Sequence, residues 1–329
     1  MSKIQSNISK LEEIRTIVDS LSYMRLTNPG TADDLAYGKQ LYDSNGNIVT
    51  GTQIMQSDLD LIITGEIESF IDNNNEIEYI GAGTFAYCTS LSSISFPVCT
   101  EINAYAFHNC SSLTSVSFPV CEYIYTHAFE ECSNLTSVSF PACTEIGWVA
   151  FYSCYSLTSI SFPVCTRIGQ QAFRDCTSLT SVTFPACSYI DDAAFCDCNN
   201  LTSVNFPACS YISGTVFLRC GNLTYANFPV CSYISGAFNC CYRLSSISLP
   251  ACNYIGTRTF YRCSSLTSLT LGASSVCTLD DITAFDSTPM SVSTYTGSYG
   301  SIYVPASLVN AYKSATNWVM YSSRITAIV

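Results

Sequence analysis

Cysteine is the side chain most able to do chemistry in this chain, which carries 20 of them against only 2 histidines. A thiol can act as nucleophile, redox centre or metal ligand, and each role demands its own spacing. No C-x-x-C pair occurs, so the zinc-ribbon and dithiol-oxidoreductase patterns are missing. The thiols instead recur in two columns, one running Cys99, Cys121, Cys143, Cys165, Cys187, Cys209, Cys231, Cys252 and the other Cys88, Cys110, Cys132, Cys154, Cys176, Cys198, Cys220, Cys241, Cys263. Thiols stacked at the ~4.8 Å spacing of adjacent strands keep their Cβ atoms further apart than the ~3.8 Å mean of a disulfide. Both columns therefore read as reduced core thiols, each a small hydrophobe with a weak S–H donor. Cys196 and Cys240 lie outside the columns, in variable turn positions, and are expected to be the more exposed thiols.

Other chemistry is sparsely provided for. His108 and His127 fall in variable positions of adjacent sequence units and lack H-x-x-x-H or H-E-x-x-H spacing, so no metal site is read from them. No G-x-S-x-G elbow or Walker loop occurs, and two histidines support few catalytic triads. Asp191 and Asp192 are adjacent carboxylates of the kind that edge a solvated turn. Gly81-Ala82-Gly83-Thr84-Phe85-Ala86 matches a dinucleotide-binding fingerprint. It aligns, however, with the Ile102–Phe107 stretch of the next unit, and no βαβ context surrounds it. No cofactor and no catalytic residue are read from the sequence. The net charge of -12, with no lysine between Lys39 and Lys313, also removes the basic footprint that nucleic acid requires.

Binding is better served than catalysis. Tyr123, Tyr189, Tyr211, Tyr233 and Tyr254 share one position two residues after a column cysteine, and Trp148, Tyr225, Arg258 and Tyr261 stand at other variable points. Tyr125, Tyr152, Tyr155, Arg174 and Arg262 decorate nearby turns. Tyr, Trp and Arg supply most of the energy of protein interfaces, so the first nine are candidate partner-binding residues. The alternative is that the tyrosine column stacks on itself and only covers a corner.

These residues are positioned by a repeat of 22 residues, seen in LTSVSFPVC at 113–121, LTSVSFPAC at 135–143, LTSISFPVC at 157–165 and LTSVTFPAC at 179–187. The frame L-x-x-V-x-F-P-x-C-x-x-I reads as a leucine-rich repeat, whose units cannot bury their apolar faces alone and must stack. The predicted architecture is a right-handed leucine-rich-repeat solenoid, an α/β-type repeat fold with a parallel sheet on one face and caps at both ends. Nine strands are placed from Leu91, Leu113, Leu135, Leu157, Leu179, Leu201, Leu223, Leu244 and Leu266. Leu, Val or Ile and Phe point inward at period two, Thr and Ser point outward, and a proline closes most strands. The return segment stacks Phe85, Phe107, Phe129, Phe151, Phe173, Phe195, Phe217, Phe238 and Phe260 into an aromatic spine.

The chain divides into an N-terminal helix (1–27), a hairpin module (28–58) built on an Asn45-Gly46 turn, an N-terminal cap (59–80), the repeats (81–270) and a C-terminal cap (271–329). Residues 59–80 contain the irregular first strand IESFI, and Glu66, Glu68, Asp72, Glu76 and Glu78 are expected to keep that open end polar. Ile4, Leu11, Ile14, Val18 and Leu21 form a short heptad seam with Asn7. That seam suits a homotrimer through the helix or, alternatively, packing on its own chain.

The set F-P-x-C-x-x-I-x-x-x-A-F-x-x-C-x-x-L-T-S-V, together with the terminal I-Y-V-P-x-x-L-V-x-A-Y-K, resembles the BspA-like bacterial leucine-rich-repeat family over about 80–329. The head departs from that family, whose surface members usually begin with a secretion signal. TADDLAYGKQLYDSNGNIVTGT at 31–52 looks like a short repeat of phage tail proteins, where a G-K, a hairpin and V-T-G-T recur. The reading that follows is a non-catalytic recognition or adhesion protein. It would be a phage tail-associated receptor-binding protein or a bacterial surface adhesin, contacting a protein or polymeric glycan at a cell surface or carried on a virion. The N-terminus lacks the apolar run of a secretory signal, and no stretch is apolar for the ~20 residues of a membrane span.

Overall fold

The computed structural model describes residues 41–42, 66–72, 75, 77–291 and 299–328. The helix expected over 1–27 and most of the hairpin module lie outside these residues.

Each unit contributes one strand of three or four residues, as in Ser115–Ser117, Ser137–Ser139 and Ser181–Thr183, with its centre turned inward and its flanks toward solvent. Val116, Val138 and Val182 are buried between exposed or half-buried neighbours, as the period-two pattern requires. Strands pair in parallel with equivalent residues in register, Val138 opposite Val116 and Val204 opposite Val182. They begin two residues later than the leucines suggest. Leu113 and Leu135 are buried in the preceding turn, where their N–H groups donate to the carbonyls of Cys110 and Cys132 at 3.0 Å. Where Leu249 and Leu271 replace the phenylalanine, the strands extend to four residues, Ser246–Leu249 and Ser268–Leu271.

The predicted sheet is not continuous. It is divided into ladders of two, three and seven strands. A second ladder, read from sequence only as return segment, is the longer one, with eleven strands that run parallel except at its N-terminal end. It consists of short pieces such as Glu101–Ile102, Tyr123–Ile124, Arg167–Ile168 and Tyr189–Ile190, each with a buried Ile and a preceding residue turned toward solvent. At the N-terminal end Leu41–Tyr42 pairs antiparallel with Tyr79–Ile80, so part of the hairpin module covers that open edge. Asp72, expected to face solvent, is instead buried, and its Oδ2 accepts the Ile77 N–H at 3.0 Å to close the first turn.

The core between the ladders is aromatic. Rings of the predicted spine lie nearly parallel, from 5.0 Å between Phe107 and Phe129 to 5.9 Å between Phe238 and Phe260. A second column, Phe96, Phe118, Phe140, Phe162, Phe184, Phe206 and Phe228, meets the first at a steep angle, 68° between Phe140 and Phe151. Offset-parallel stacking within columns and edge contact between them are the two arrangements that the ring quadrupole favours.

Two backbone positions per unit hold left-handed torsion, mostly at residues other than glycine. One runs through Tyr105, His127, Val149, Gln171, Ala193 and Arg258, and the other through Asn109, Glu131, Ser153, Asp175, Asp197, Arg219, Cys240 and Arg262. The short rung at Ser235-Gly236-Ala237 turns at Gly236, with φ of 71°, where a Cβ would come within 3.2 Å of the Gly214 carbonyl oxygen.

The thiols are free and buried throughout. Those of one column donate to the carbonyl of the preceding rung, as from Cys110 to Phe85 at 3.0 Å, and those of the other to their own chain two residues on. Burial pushes Cys132 and Cys165 up to about 12, so these sulfurs stay protonated and unreactive. Cys196 and Cys240 are buried too, contrary to the sequence expectation. Each turns its sulfur onto a neighbouring side-chain oxygen, Asp197 at 3.2 Å and Asn239 at 3.1 Å, beneath the turn.

The C-terminal cap is a strand at Ser301–Val304, a short helix at Val309–Ser314 and a final parallel strand at Ile325–Ala327. Trp318, Tyr312 and Tyr321 are buried in it, with Trp318 and Tyr321 against Phe285, which stacks 5.6 Å from Phe260 and ends the spine.

Candidate functional site

The tyrosine column belongs to the second ladder rather than to turns. Tyr211, Tyr233 and Tyr254 sit directly opposite one another across neighbouring strands. Their rings stack at centroid distances of 4.5 Å for both pairs, so both faces of Tyr233 and one face each of Tyr211 and Tyr254 are covered. Tyr189 receives the Arg167 guanidinium 4.7 Å above its ring. Within this stack the column offers a partner mainly ring edges and hydroxyls, because the faces between neighbouring rings are covered.

Other candidates stand apart from it. Tyr225 is 56% exposed on the first sheet, next to the small buried Ala226 and an amide ladder in which Asn227 Nδ2 donates to Asn205 Oδ1 at 2.7 Å. Tyr123 is exposed beside the glutamates of the neighbouring strands, Glu101 and Glu145. Arg258 and Arg262 both approach the Tyr261 ring, at 5.8 and 5.2 Å. On the first sheet the outward threonines spend their O–H groups internally, Thr136 on the Thr114 carbonyl at 2.9 Å and Thr202 on that of Thr180 at 2.9 Å. The hydroxyl face therefore presents these threonines mainly as acceptors.

The fold assembles one cluster that sequence spacing did not reveal. His108 and His127, from adjacent units, converge on Glu130. Oε2 of Glu130 lies 2.7 Å from His127 Nδ1 and 3.1 Å from His108 Nδ1. Only the His127 contact has hydrogen-bond geometry. Burial by itself would raise the Glu130 carboxyl, but the flanking imidazoles outweigh it and hold the group at about 2, so it is ionised at neutral pH. Among the described residues no set of three or more His, Cys, Asp or Glu side chains is placed to hold a metal ion.

Aromatic rings wall this carboxylate. Tyr105 stacks on His127 at 4.4 Å, Tyr87 and Tyr105 meet His108 edge-on at 5.0 and 5.7 Å, and Trp148 meets His127 edge-on at 5.1 Å. Burial and the nearby Glu130 charge push the Tyr105 hydroxyl up, so it remains a neutral donor. Left-handed torsions at Tyr105 and His127 set the turns from which these rings project. Thr126 Oγ1 and the His127 N–H both donate to the Trp148 carbonyl, at 2.9 Å each, and so fix the tryptophan's backbone. Beside it Gly147 and Gly169 admit no side chain, since a Cβ on either would come within 2.7 Å of a neighbouring backbone carbon. Trp148 remains 41% exposed at the edge of this wall; Tyr125, 42% exposed, has its backbone beside Gly147 and donates its hydroxyl to Glu101 Oε2 at 3.4 Å. The arrangement is an exposed aromatic edge backed by a His–Glu–His cluster that fixes its rings, able to stack on a flat partner group.

The only sequence signal for this cluster was the phase of its members. Glu130 stands 22 residues after His108 and three after His127, so the 22-residue period carries it beside one histidine and the turn beside the other.

Family comparison agrees with this architecture. The BspA type leucine rich repeat region matches in 6 copies over residues 64–180 and 166–290. Among solved structures, a leucine-rich-repeat protein of T. pallidum is 37% identical, with 44% of this chain and 72% of that chain covered and a TM-score of 0.43. One from Bacteroides ovatus is 18% identical, with 80% and 84% covered and a TM-score of 0.45. A leucine-rich cell surface protein of Faecalibacterium prausnitzii is 21% identical, with 64% and 74% covered and a TM-score of 0.34. No curated protein matches.

Proposed function

The chain belongs to the BspA-type leucine-rich-repeat family, and from that premise we propose that it is a non-catalytic recognition protein whose repeats dock a protein or polymeric glycan on a cell surface. The observation that carries the reading is the exposed Trp148 set edge-on against His127 of the Tyr105–His127–Glu130 cluster, with the exposed Tyr125 beside it on the preceding rung; together they form a ledge. Exposed aromatic groups stand there on a surface otherwise rich in Ser and Thr, and only 12% of the chain's residues are charged. A rigid solenoid holds such residues with little ordering cost on binding. Tyr225 supplies a second, isolated contact on the hydroxyl face. Among the described residues no helix is long and apolar enough to cross a membrane, so docking rather than insertion is the proposed mode.

The finer placement rests on the head of the sequence. Its likeness to a phage-tail repeat supports attachment of the solenoid to a virion, with the repeats contacting the bacterial host. Family membership supports the second placement, a bacterial surface adhesin binding host matrix or another microbe. Binding of fluorescently labelled full-length protein to a panel of bacteria, mucin and matrix coatings separates them. Selective binding to certain bacteria, lost in Trp148→Ala/Tyr125→Ala but kept in Tyr233→Ala, supports the virion reading. Binding to host material with the same mutational pattern supports the adhesin. Binding that ignores the ledge mutations removes the ledge from the mechanism.

A further inference from the structure

The first thiol column does not end at Cys252. Cys277 continues it, 25 residues further on instead of the usual 22, in the rung where the repeat decays into the cap. The irregularity alters its register. Tyr254 pairs with Thr278 across the ladder, so Cys252 lies two residues before the paired position and Cys277 only one. In the regular rungs each thiol of this column donates to the carbonyl two residues on, as Cys209 does to Tyr211 at 3.4 Å and Cys231 to Tyr233 at 3.2 Å. Cys277 reaches a carbonyl only at 3.6 Å, that of Thr278, and its sulfur instead lies 3.9 Å from the Cys252 sulfur.

We propose that Cys252 and Cys277 are an oxidative cross-linking site that fastens the C-terminal cap to the last regular rung. Closing 3.9 Å to a bond of about 2.05 Å asks each sulfur to swing by roughly 1 Å, within reach of side-chain rotation. Backbone contacts already fix one partner in place. The Cys277 N–H donates to the Tyr312 hydroxyl at 2.9 Å, and Trp318 Nε1–H donates to the Cys277 carbonyl at 2.6 Å. Asn317 Nδ2 holds the next turn through the carbonyls of Leu279 and Asp280, at 2.8 and 2.9 Å. A bond at this point closes the 252–277 loop and fixes Cys277, the residue on which Tyr312 and Trp318 of the cap converge by hydrogen bonds, to the last regular rung of the column.

The pair also differs from its column in chemistry. Cys121, Cys187 and Cys231 are all pushed up, chiefly by burial. Cys252 is drawn down, because the Cys277 S–H donates to it and stabilises its thiolate. Cys252 is thus the attacking sulfur, and a small oxidant such as hydrogen peroxide suits so enclosed a place. The Cys252 thiolate attacks one peroxide oxygen, the O–O bond breaks, and a sulfenic acid forms as the departing hydroxide takes up a proton to become water. The Cys277 sulfur then attacks the sulfenic sulfur, forming the S–S bond and expelling hydroxide, which leaves as water with the Cys277 proton. Two thiols and one peroxide give one disulfide and two waters, the two electrons passing from sulfur to peroxide. An external thiol reverses the bond by exchange.

The test treats the full-length protein with graded hydrogen peroxide, blocks remaining thiols and maps peptides by mass spectrometry without reduction. The expected result is a 252–277 linked peptide appearing before any other cross-link, with slower proteolysis of the C-terminal cap that reductant reverses. Cys277→Ala should abolish both effects while far-UV circular dichroism stays as in the wild type. Mapping in the wild-type protein keeps the test independent of whether that variant folds. Cross-links spread over both columns, over-oxidation of either sulfur to the sulfinic acid, or no linkage by the time Cys196 or Cys240 reacts would each overturn the proposal.

Discussion

At the scale of single residues, the Glu130 carboxylate makes the most direct prediction. Its folded pKa of about 2 lies below its ordinary value of 4.5, so the stability it contributes is fully present above pH 4.5 and is lost as pH falls toward 2. Glu130→Gln should therefore unfold at lower denaturant than wild type at pH 6, and the gap between the two urea midpoints should narrow steadily as pH is lowered from 4.5 to 2.5. A gap that stays constant with pH would assign the loss to packing instead of charge. The left-handed columns give a second test. Gln171 holds φ of 56° at a half-buried turn. A non-glycine residue there costs roughly 1–2 kcal/mol, part of which glycine returns through its greater unfolded-state freedom. Gln171→Gly should stabilise the protein by about 0.5–1 kcal/mol, visible as a higher urea midpoint. A lower midpoint would show that the Gln171 side chain contributes more than its torsion costs.

At the scale of elements, stability resides in the phenylalanine columns and much less in the tyrosine column. Phe151 is fully buried and stacks at 5.1 Å on both Phe129 and Phe173. Phe151→Ala should cost about 3–5 kcal/mol, and because each rung contacts only its neighbours, the denaturation curve should broaden or split. Tyr233→Ala removes two stacked contacts at a half-buried position and should cost about 1–3 kcal/mol, less than the spine. Equal losses would mean that the tyrosine column carries load as the spine does. The contrast also shows what the sequence could convey. The phenylalanine and cysteine columns were legible because every rung repeats them, and repetition at a fixed period is the signal of a solenoid core. The second ladder was less visible, since each of its strands is only two or three residues long and offers one buried Ile with one outward neighbour. The burial of Cys196 and Cys240 was not legible at all. Both occupy variable positions, and what hides them is the local approach of Asp197 and Asn239 side chains. The His108–His127–Glu130 cluster was missed for a related reason: its three members are close across rungs, while motif spacing tests closeness along the chain.

At the scale of the whole molecule, the question is whether one solenoid or several engage a surface together. The heptad seam at residues 4–21 suits a trimer, and three weakly binding arms on one body would gain by avidity. Removing the entire head would confuse that test, because Leu41–Tyr42 pairs with Tyr79–Ile80 and closes the N-terminal edge of the longer ladder. The cleaner variant deletes only residues 1–27 and leaves that strand in place. If the helix assembles the protein, this variant should sediment as a monomer, keep the circular dichroism of the repeats, and bind cells on the order of 10²-fold more weakly at low concentration. Its affinity for an isolated soluble ligand should be unchanged, since the Trp148 ledge lies far along the chain from the deletion. Sedimentation as a monomer with undiminished cell binding by both forms would remove multivalency from the account and leave a single solenoid, with its own ledge, to supply the whole of the recognition.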